Sequence, residues 1–273
     1  MGNLQLLSAF LLLSCSIFIT QSAPTASTIP TKLIYQFPNG TWLENLAVRP
    51  DNSILTTVLT SPDLYLVQPS SSSPDPRLIH HFASHNALLG ITELAPYDYQ
   101  VVATNYSSST STTTPGSSAI YRVYFPPPHP DTHPYSSKAS ITLTTRLPSI
   151  GLPNGLATLN THTILVADSI KGQVLAIDTT TGVSTLAISD PLFAPTTSTF
   201  QIGVNGIKVH SATCTLFFTN SQQKIFGRIP IDIETGKATG AASIIAKFPS
   251  EPTDPQLAAY DDFALDERGR WRI

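Results

Sequence analysis

Apolar residues occur along this chain in short runs of four to eight, and turn-forming residues separate the runs. Runs of this length, rich in β-branched and aromatic residues, predict β-strands. Helical periodicity is nearly absent after the amino-terminal region, and the prolines fall mainly between the runs, where a missing N–H costs no sheet hydrogen bond. The pattern therefore predicts an all-β protein. The clearest predicted strands are Ser53–Leu59, Leu64–Gln68, Tyr99–Thr104, Ala119–Phe125, Ile141–Thr145, Thr163–Ala167 and Gly172–Ile177.

A five-residue motif recurs along the chain, in which a polar residue precedes a small or turn-forming residue and a short apolar run. Its copies are Glu44–Val48, Asn154–Thr158, Asn205–Val209 and Asp261–Leu265. A further copy, Leu89–Glu93, has the spacing but carries leucine in the polar position. Successive copies lie roughly 45 to 65 residues apart, a period typical of repeated modules. Symmetric modules would bring the polar side chains together on one axis, where they could form a site.

Two longer segments, Thr163–Gly182 and Thr215–Gly236, also repeat each other. Each predicts a strand, a polar turn containing Asp-Ser or Asn-Ser, a second strand and then the sequence Asp-x-x-Thr-Gly. With the inner strand that carries the motif, this unit is a four-stranded antiparallel blade, so the sequence predicts a β-propeller. A solenoid is the alternative, but its repeats are usually shorter or helical. By the spacing of the motif, the chain holds about four blades and the first strand of a fifth.

Two low-complexity segments, residues 107–118 and 126–135, interrupt the second blade. The first consists largely of Ser and Thr and the second is rich in Pro. Both are therefore expected to be solvent-exposed loops and candidates for O-glycosylation.

The amino-terminal region predicts a secretory signal peptide over residues 1–22, followed by a single domain over residues 23–273. Residues 4–19 form an uncharged apolar run that is short for a spanning helix, and small or polar residues suited to signal peptidase follow it. An uncleaved membrane anchor is the alternative. Sequons at Asn39 and Asn105 fit N-glycosylation in a eukaryotic secretory pathway. We therefore expect a secreted glycoprotein with no membrane attachment after cleavage.

The chain is weakly charged: 12% of its residues carry a charge and the net charge is −3, while 41% of its residues are hydrophobic. This composition supports a large core and lacks the basic surface that a nucleic-acid partner requires. A small-molecule partner is expected instead. Beyond the signal peptide only Cys214 remains, so the mature chain has no internal disulfide. Its place in a predicted strand, Thr213–Phe218, favours a buried structural thiol.

The motif copies resemble those of the senescence-marker-protein/gluconolactonase family of six-bladed β-propellers, which includes regucalcin-like proteins. The resemblance rests on the segments ENLAVRPDN, LPNGLATL, VNGIKV and DDFALDERG, and it extends from about Lys32 to the end of the chain. The chain is most similar to a secreted fungal branch that is also related to strictosidine-synthase-like propellers. The order and spacing of the four segments make the match specific for the fold and less specific for an activity.

The resemblance implies a divalent cation, such as Ca²⁺ or Mg²⁺, at the propeller axis. By this likeness Glu44, Asn205 and Asp261 would bind the metal, Asn154 would be an additional ligand, and Asp261 and Asn154 would act in catalysis. Asp262 stands where the family usually has glycine, which leaves the choice between Asp261 and Asp262 open. Such an ion prefers oxygen ligands, and it could polarise a lactone carbonyl or lower the pKa of a bound water. The alternative is that the Asn-Gly pairs only turn the chain into each inner strand.

The sequence departs from the family in its length. It ends soon after Asp261, whereas a six-bladed ring at ~40–45 residues per blade would need roughly another hundred residues. The expected closing strand, Lys32–Phe37, would then lack its partner in a last blade. A C-terminally truncated propeller is therefore expected, with open blade edges through which copies could self-associate.

Three functions remain open. The first is metal-dependent hydrolysis of a lactone or related ester, with a secondary metabolite as the expected substrate. The second is a natural-product cyclase, a pericyclase of the hetero-Diels–Alderase type found among fungal propellers that resemble this chain, in which the funnel would orient a reactive substrate. The third is a non-catalytic binding module or a truncated remnant, which the leucine at position 89 favours. No G-x-S-x-G motif, phosphate-binding loop or clustered Cys/His zinc motif occurs in the sequence.

Overall fold

The structure is a computed structural model that describes residues 32–72, 74–127, 138–196, 201–247, 260–266 and 271–272. The predicted signal peptide and most of the insertion at 126–135 lie outside these residues. All described strands belong to one compact unit, Ile34–Ile273. Over the described ranges, no helix has the length and apolar character needed to cross a membrane.

Four sheets of four antiparallel strands form the blades, and each contains strands that are close in sequence. Blade 1 consists of β1 (Leu43–Val48), β2 (Ile54–Val58), β3 (Asp63–Val67) and β4 (Arg77–His81). Blade 2 consists of β5 (Ala87–Ala95), β6 (Asp98–Thr104), β9 (Ala119–Tyr124) and β10 (Ser140–Arg146). Blade 3 consists of β11 (Pro153–Thr158), β12 (Thr163–Asp168), β13 (Gln173–Asp178) and β14 (Ser184–Ser189). Blade 4 consists of β15 (Val204–His210), β16 (Thr215–Asn220), β17 (Ile225–Pro230) and β18 (Ser243–Lys247).

Two further strand pairs lie outside these sheets. The hairpin of β7 (Tyr106–Ser107) and β8 (Thr112–Thr113) branches from blade 2 between β6 and β9. After blade 4, β19 (Ala264–Leu265) pairs with β20 (Trp271–Arg272). Among the described residues the only helical element is a 3-10 turn at Ser211–Thr213. The predicted all-β propeller of four-stranded antiparallel blades is confirmed.

The core lies between neighbouring blades. Three large apolar clusters fill the interfaces between blades 1 and 2, blades 2 and 3, and blades 3 and 4. A smaller aromatic cluster of Phe217, Phe226 and Phe263 joins blade 4 to the segment that follows it. Strands β6 and β12 are buried at every position because their sheets are covered on both faces. Burial of both faces explains why β12 contains a continuous apolar run, Ile164–Ala167, rather than an alternating pattern; in β6 the polar residues are buried as well.

The glycines of the motif let neighbouring inner strands approach each other closely. A Cβ atom at Gly155 would clash with the Asn205 carbonyl oxygen, and one at Gly206 would lie 2.8 Å from the Asp261 carbonyl oxygen. Both glycines lie inside strands, β11 and β15, and neither has a positive φ. The idea that Asn-Gly only turns the chain into the strand is therefore wrong. Glycine is needed at these positions because the backbone of the next blade occupies the space of a side chain.

Two local predictions differ from the structure. Lys32–Phe37 forms no strand, and the Phe37 ring instead packs edge-on against Tyr65, with ring centroids 5.5 Å apart. Cys214 is exposed rather than buried, because the 3-10 turn before it takes up the chain between β15 and β16. It ends that turn in the left-handed region, with φ of 48°. Strand β16 begins only at Thr215.

Candidate functional site

The polar residues of the motif lie on the inner strands of blades 1, 3 and 4 and just before β19. Glu44 is in β1, Asn154 in β11 and Asn205 in β15, while Asp261 precedes β19 and Leu89 is in β5. The inner strands of successive blades pack against one another. All five side chains line one cavity of about 630 Å³. The structure thus brings together the four polar residues that the sequence singled out, whereas their metal-binding and catalytic roles stay predictions.

Asn205 and Asp261 form a hydrogen-bonded pair in this cavity. Asn205 Nδ2 donates to Asp261 Oδ1 over 2.6 Å and to Ser221 Oγ over 2.8 Å. Ser221 Oγ donates in turn to the Tyr260 carbonyl oxygen, and Thr219 Oγ1 donates to the Asp261 carbonyl oxygen. Because both amide hydrogens of Asn205 are used, its Oδ1 is the atom that remains for a ligand. Ser221 belongs to the repeated Asn-Ser turn, which is the sequence signal that could have identified it as part of the site.

Asn154 lies buried at the same cavity. Within the described part of the chain its side-chain amide makes no hydrogen bond, and it is not among the buried polar groups that are cut off from solvent, so it is accessible from the cavity. A molecule in the cavity would therefore find both a donor and an acceptor on Asn154. Leu89, at the equivalent position of blade 2, offers neither.

The carboxyl groups of the cavity lie in an environment that disfavours negative charge. Burial raises the pKa of Glu44 to about 8, and the negative charges of Asp261 and Asp262 add to the effect, while a hydrogen bond with the Trp42 side chain opposes it. Burial also raises the pKa of Asp261, whereas the hydrogen bond from Asn205 lowers it by a smaller amount. Without a nearby cation, Glu44 is therefore mainly a neutral acid at pH 7 and can donate a hydrogen bond.

Asp262 serves a different part of the molecule. Its Oδ1 lies 2.7 Å from Lys208 Nζ, and its Oδ2 accepts a hydrogen bond of 3.0 Å from Asn45 Nδ2. These contacts link blade 1 and blade 4 to the segment before β19. Asp262 lines a second, smaller cavity of about 360 Å³. Of the two candidate carboxylates, Asp261 is the one that lines the main cavity.

The donor set of the main cavity suits a hard divalent cation. Two carboxylates, Glu44 and Asp261, and two amides, Asn154 and Asn205, line it, and Ca²⁺ prefers such oxygen ligands. The raised pKa of both carboxyl groups marks a place where a positive charge would be stabilising. Across the described ranges, however, no group of three or more His, Cys, Asp or Glu residues could hold a metal ion. A cation here would depend on the amide oxygens to complete its ligands.

The rest of the cavity wall combines apolar and aromatic side chains with small polar ones. Leu59, Leu152 and Ile202 contribute aliphatic surface, and Trp42, with 58% of its surface exposed, and Tyr106 add aromatic rings. Such a mixed wall fits a small molecule with an apolar skeleton and a carbonyl or hydroxyl group. Sequence reasoning did not identify Trp42, although it lies only two residues before Glu44.

The first low-complexity insertion is not simply a solvent loop. Residues 106–113 form the β7–β8 hairpin, and Tyr106, Ser108 and Ser111 line the cavity. The predicted solvent loop is exposed at residues 108–110, but the hairpin also finds hydrogen-bond partners on neighbouring loops that the local sequence does not reveal. The predicted glycosylation sites lie close to the surface: Asn39 is exposed in a turn, and Asn105 is half-buried just before β7.

Two known proteins that this chain resembles are named as putative hetero-Diels–Alderases. No family model matches the chain. Over 95% of its length it is 29% identical to a Phoma sp protein named "Putative hetero-Diels-Alderase", of which it covers 77%. Over 91% of its length it is 25% identical to "Putative hetero-Diels-Alderase asR5" of Sarocladium schorii, of which it covers 65%. The chain therefore spans about three quarters of one relative and about two thirds of the other.

The fold also matches a solved propeller. The structure of a calcium-binding protein, regucalcin, from Agrobacterium tumefaciens aligns over 84% of this chain and 65% of its own, with a TM-score of 0.51 and 14% sequence identity. At that identity the likeness concerns the fold alone. The comparisons thus support a regucalcin-like propeller fold, and they favour the cyclase alternative over lactone hydrolysis.

Proposed function

We propose that this protein is a pericyclase of the hetero-Diels–Alderase type, which binds an unsaturated small molecule in the axial cavity and accelerates its cycloaddition. The observation that carries the proposal is the cavity of about 630 Å³ that combines apolar side chains with the unpaired amide of Asn154. The similarity to two proteins named as hetero-Diels–Alderases over nearly the whole chain supports it.

For this reaction the protein needs only to orient the reacting atoms and to provide polar groups beside them. In a hetero-Diels–Alder reaction three π bonds become two σ bonds and one new π bond, so no group leaves and no proton or electron is consumed. Holding the reacting atoms in a near-attack geometry is worth up to about 7–11 kcal/mol in favourable intramolecular cases. The cavity would supply this effect by enclosing the apolar skeleton against Leu59, Leu152 and Ile202.

Hydrogen bonds to the heteroatom would add to that effect. Asn154 Nδ2 is available as a donor, and Glu44, whose pKa is raised to about 8, is a second donor in its neutral form. A donor aimed at the carbonyl oxygen of a heterodiene withdraws electron density and stabilises the charge that develops in the transition state. The Asn205–Asp261 pair, held by Ser221, would orient a polar group of the substrate.

The test is a cycloaddition assay with α,β-unsaturated carbonyl compounds paired with electron-rich alkenes. Uncatalysed cycloaddition gives a racemic product, so both rate and enantiomeric excess report catalysis. We expect Asn154→Ala to lower the rate by about 10-fold to 100-fold, as the loss of one preorganised donor does elsewhere. Asn39→Ala, in an exposed turn outside the cavity, is the matched control when both proteins are produced in a host that does not glycosylate them. Racemic product at the background rate from the folded wild type would refute the proposal.

Metal-dependent lactone hydrolysis is the second candidate. The paired carboxylates of Glu44 and Asp261 beside two amides favour it, since they fit a hard cation. When bound, such an ion would polarise a lactone carbonyl and activate a water. Lactone turnover that requires Ca²⁺ or Mg²⁺ and disappears in Glu44→Gln and Asp261→Asn would support it. Turnover that survives chelation and both substitutions would exclude it, and saturable binding without any turnover would indicate a binding module.

The cellular address is a separate proposal. The apolar amino-terminal run and the exposed sequon at Asn39 support secretion as a glycoprotein. Expression in a fungal host should release a protein whose first residue lies near position 23 and whose mass falls after N-glycosidase treatment. Retention of residues 1–22 in the purified product would contradict the signal-peptide assignment.

A further inference from the structure

The β7–β8 hairpin is fastened at both ends to the walls of the cavity. Asn86 and Tyr106 exchange two hydrogen bonds: Asn86 Nδ2 donates to the Tyr106 carbonyl oxygen over 3.0 Å, and the Tyr106 N–H donates to Asn86 Oδ1 over 2.7 Å. On the other strand, Thr113 Oγ1 donates to the Gly151 carbonyl oxygen over 2.5 Å. Thr113 is buried, so that bond is shielded from water. The hairpin therefore bridges from blade 2 to the loop before β11.

These attachments connect the hairpin directly to site residues. Gly151 precedes Leu152, which lines the cavity, and Asn154 follows two residues later. The Asp168 carboxylate accepts hydrogen bonds from the Gly151 and Leu152 N–H groups over 3.0 and 3.2 Å, so the loop that receives the hairpin is itself held in place. A rigid receiver makes the hairpin a fixed part of the wall.

The tip of the hairpin has a defined shape. Ser111 adopts a left-handed backbone with φ of 52°, which a non-glycine residue holds only when its surroundings impose it. Ser108 and Ser111 line the cavity, whereas Ser109, on the same turn, does not. Tyr106 lines the cavity with its ring and packs against the apolar cluster between blades 2 and 3.

We propose that the β7–β8 hairpin determines which molecules the cavity accepts, with Tyr106 and Ser108 as its specificity-determining residues. The inference rests on the small-molecule function proposed above. The hairpin is an insertion outside the repeated blade, so it can change in length and sequence without disturbing the propeller. Its two serines and one tyrosine present hydroxyl groups and one aromatic face, with no formal charge. The surface that the hairpin adds therefore suits an uncharged part of the ligand, and the hairpin limits the length of that apolar part.

The experiment measures binding selectivity with a homologous series of neutral fluorescent ketones, the 6-acyl-2-(dimethylamino)naphthalenes with acetyl, propionyl and longer acyl chains. Ser108→Trp places an indole in the cavity and is expected to weaken binding of the propionyl probe at least about tenfold, the equivalent of about 1.4 kcal/mol. Ser109→Trp adds the same bulk to the neighbouring exposed position and is the matched control, with an expected change below about twofold.

Enlarging the cavity should have the opposite effect. Tyr106→Ala is expected to raise the affinity for the longest probe relative to the propionyl probe by about fivefold, because added methylenes gain apolar contact in the vacated space. Far-UV circular dichroism and thermal unfolding verify the fold of each variant. If Tyr106→Ala does not fold, Tyr106→Leu, which keeps apolar contact but shortens the side chain, replaces it.

Several results would overturn the inference. Equal effects of Ser108→Trp and Ser109→Trp on probe binding would show that the hairpin does not contact the ligand. Unchanged selectivity in the Tyr106 variants would show the same. No saturable binding of any probe by the wild type would also count against it. Because the readout is binding, its outcome is separate from that of the cycloaddition assay. Hairpin-dependent selectivity without cycloaddition would refute the proposed function alone, and cycloaddition with hairpin-independent selectivity would refute this inference alone.

Discussion

Glu44→Gln removes a carboxyl group that the protein holds partly buried beside two others, and we predict that this change stabilises the protein at alkaline pH. The pKa of Glu44 is about 8 in the folded protein, against an ordinary value of 4.5. Between these values the folded state retains a proton that the unfolded state releases. The wild type therefore loses stability as the pH rises through this window, while the glutamine variant has no such loss. Below pH 4.5 the Glu44 carboxyl is neutral in both the folded and the unfolded state. In that range the pH therefore does not change the difference in unfolding free energy between the variant and the wild type.

The size of the effect follows from the same two values. Their difference corresponds to a linkage free energy of about 5 kcal/mol above pH 8. Glu44 is half-buried, and water can relax around its ionised form, so we expect about 2–3 kcal/mol of this to appear in the measured free energy of unfolding. That amount is a large fraction of the total stability of a typical domain, about 5–15 kcal/mol.

Urea unfolding followed by far-UV circular dichroism, in chelator and at pH values from about 5 to 9, measures this effect. Circular dichroism is preferred to tryptophan fluorescence because Trp42 contacts Glu44. Glu234→Gln, at an exposed turn of blade 4, is the matched control and should follow the wild type at each pH. The reasoning would be refuted if the difference in unfolding free energy between Glu44→Gln and wild type stayed constant over this range.

Three further predictions concern the site, the blade packing and the exposed apolar side chains of β1. If the cavity binds Ca²⁺, millimolar Ca²⁺ should raise the unfolding midpoint of the wild type, most of all at pH 8, and should leave that of Glu44→Gln nearly unchanged. Equal shifts of the midpoint in both proteins would argue against a site at Glu44. Gly155→Ala should lower the free energy of unfolding by about 1–3 kcal/mol, because the added methyl group meets the Asn205 carbonyl; an unchanged urea midpoint would show that the strands can separate at no cost. Leu46→Lys, at a position on β1 that is 58% exposed, should reduce self-association measured by light scattering. Val183→Lys, at a position that is 57% exposed, is the control and should not reduce it. Equal self-association of the two variants would show that copies of the chain do not associate through β1.

The strands and the blade repeat were predictable from the sequence because burial acts on short segments. Both faces of a propeller blade pack against neighbours, so a strand such as Thr163–Asp168 contains a continuous apolar run, Ile164–Ala167, and that run is visible in a window of six residues. The convergence of Glu44, Asn154, Asn205 and Asp261 on one cavity was also predictable, since corresponding positions of repeated modules take corresponding places around one axis. Prediction failed where the local pattern had no periodic meaning, as at Cys214, which follows a 3-10 turn rather than lying in a strand.

By itself, the sequence determined the class of fold, the four-stranded blade and the set of polar residues that face the axis. Only the tertiary structure decided why glycine follows two of those residues, since the atoms that exclude a side chain belong to the next blade. It also decided that a Ser- and Thr-rich insertion forms part of the cavity wall, through the bond from Thr113 to Gly151. The pKa of Glu44 depends on burial and on carboxylates more than two hundred residues away in the chain. Such effects arise from contacts between distant segments, which no local pattern records.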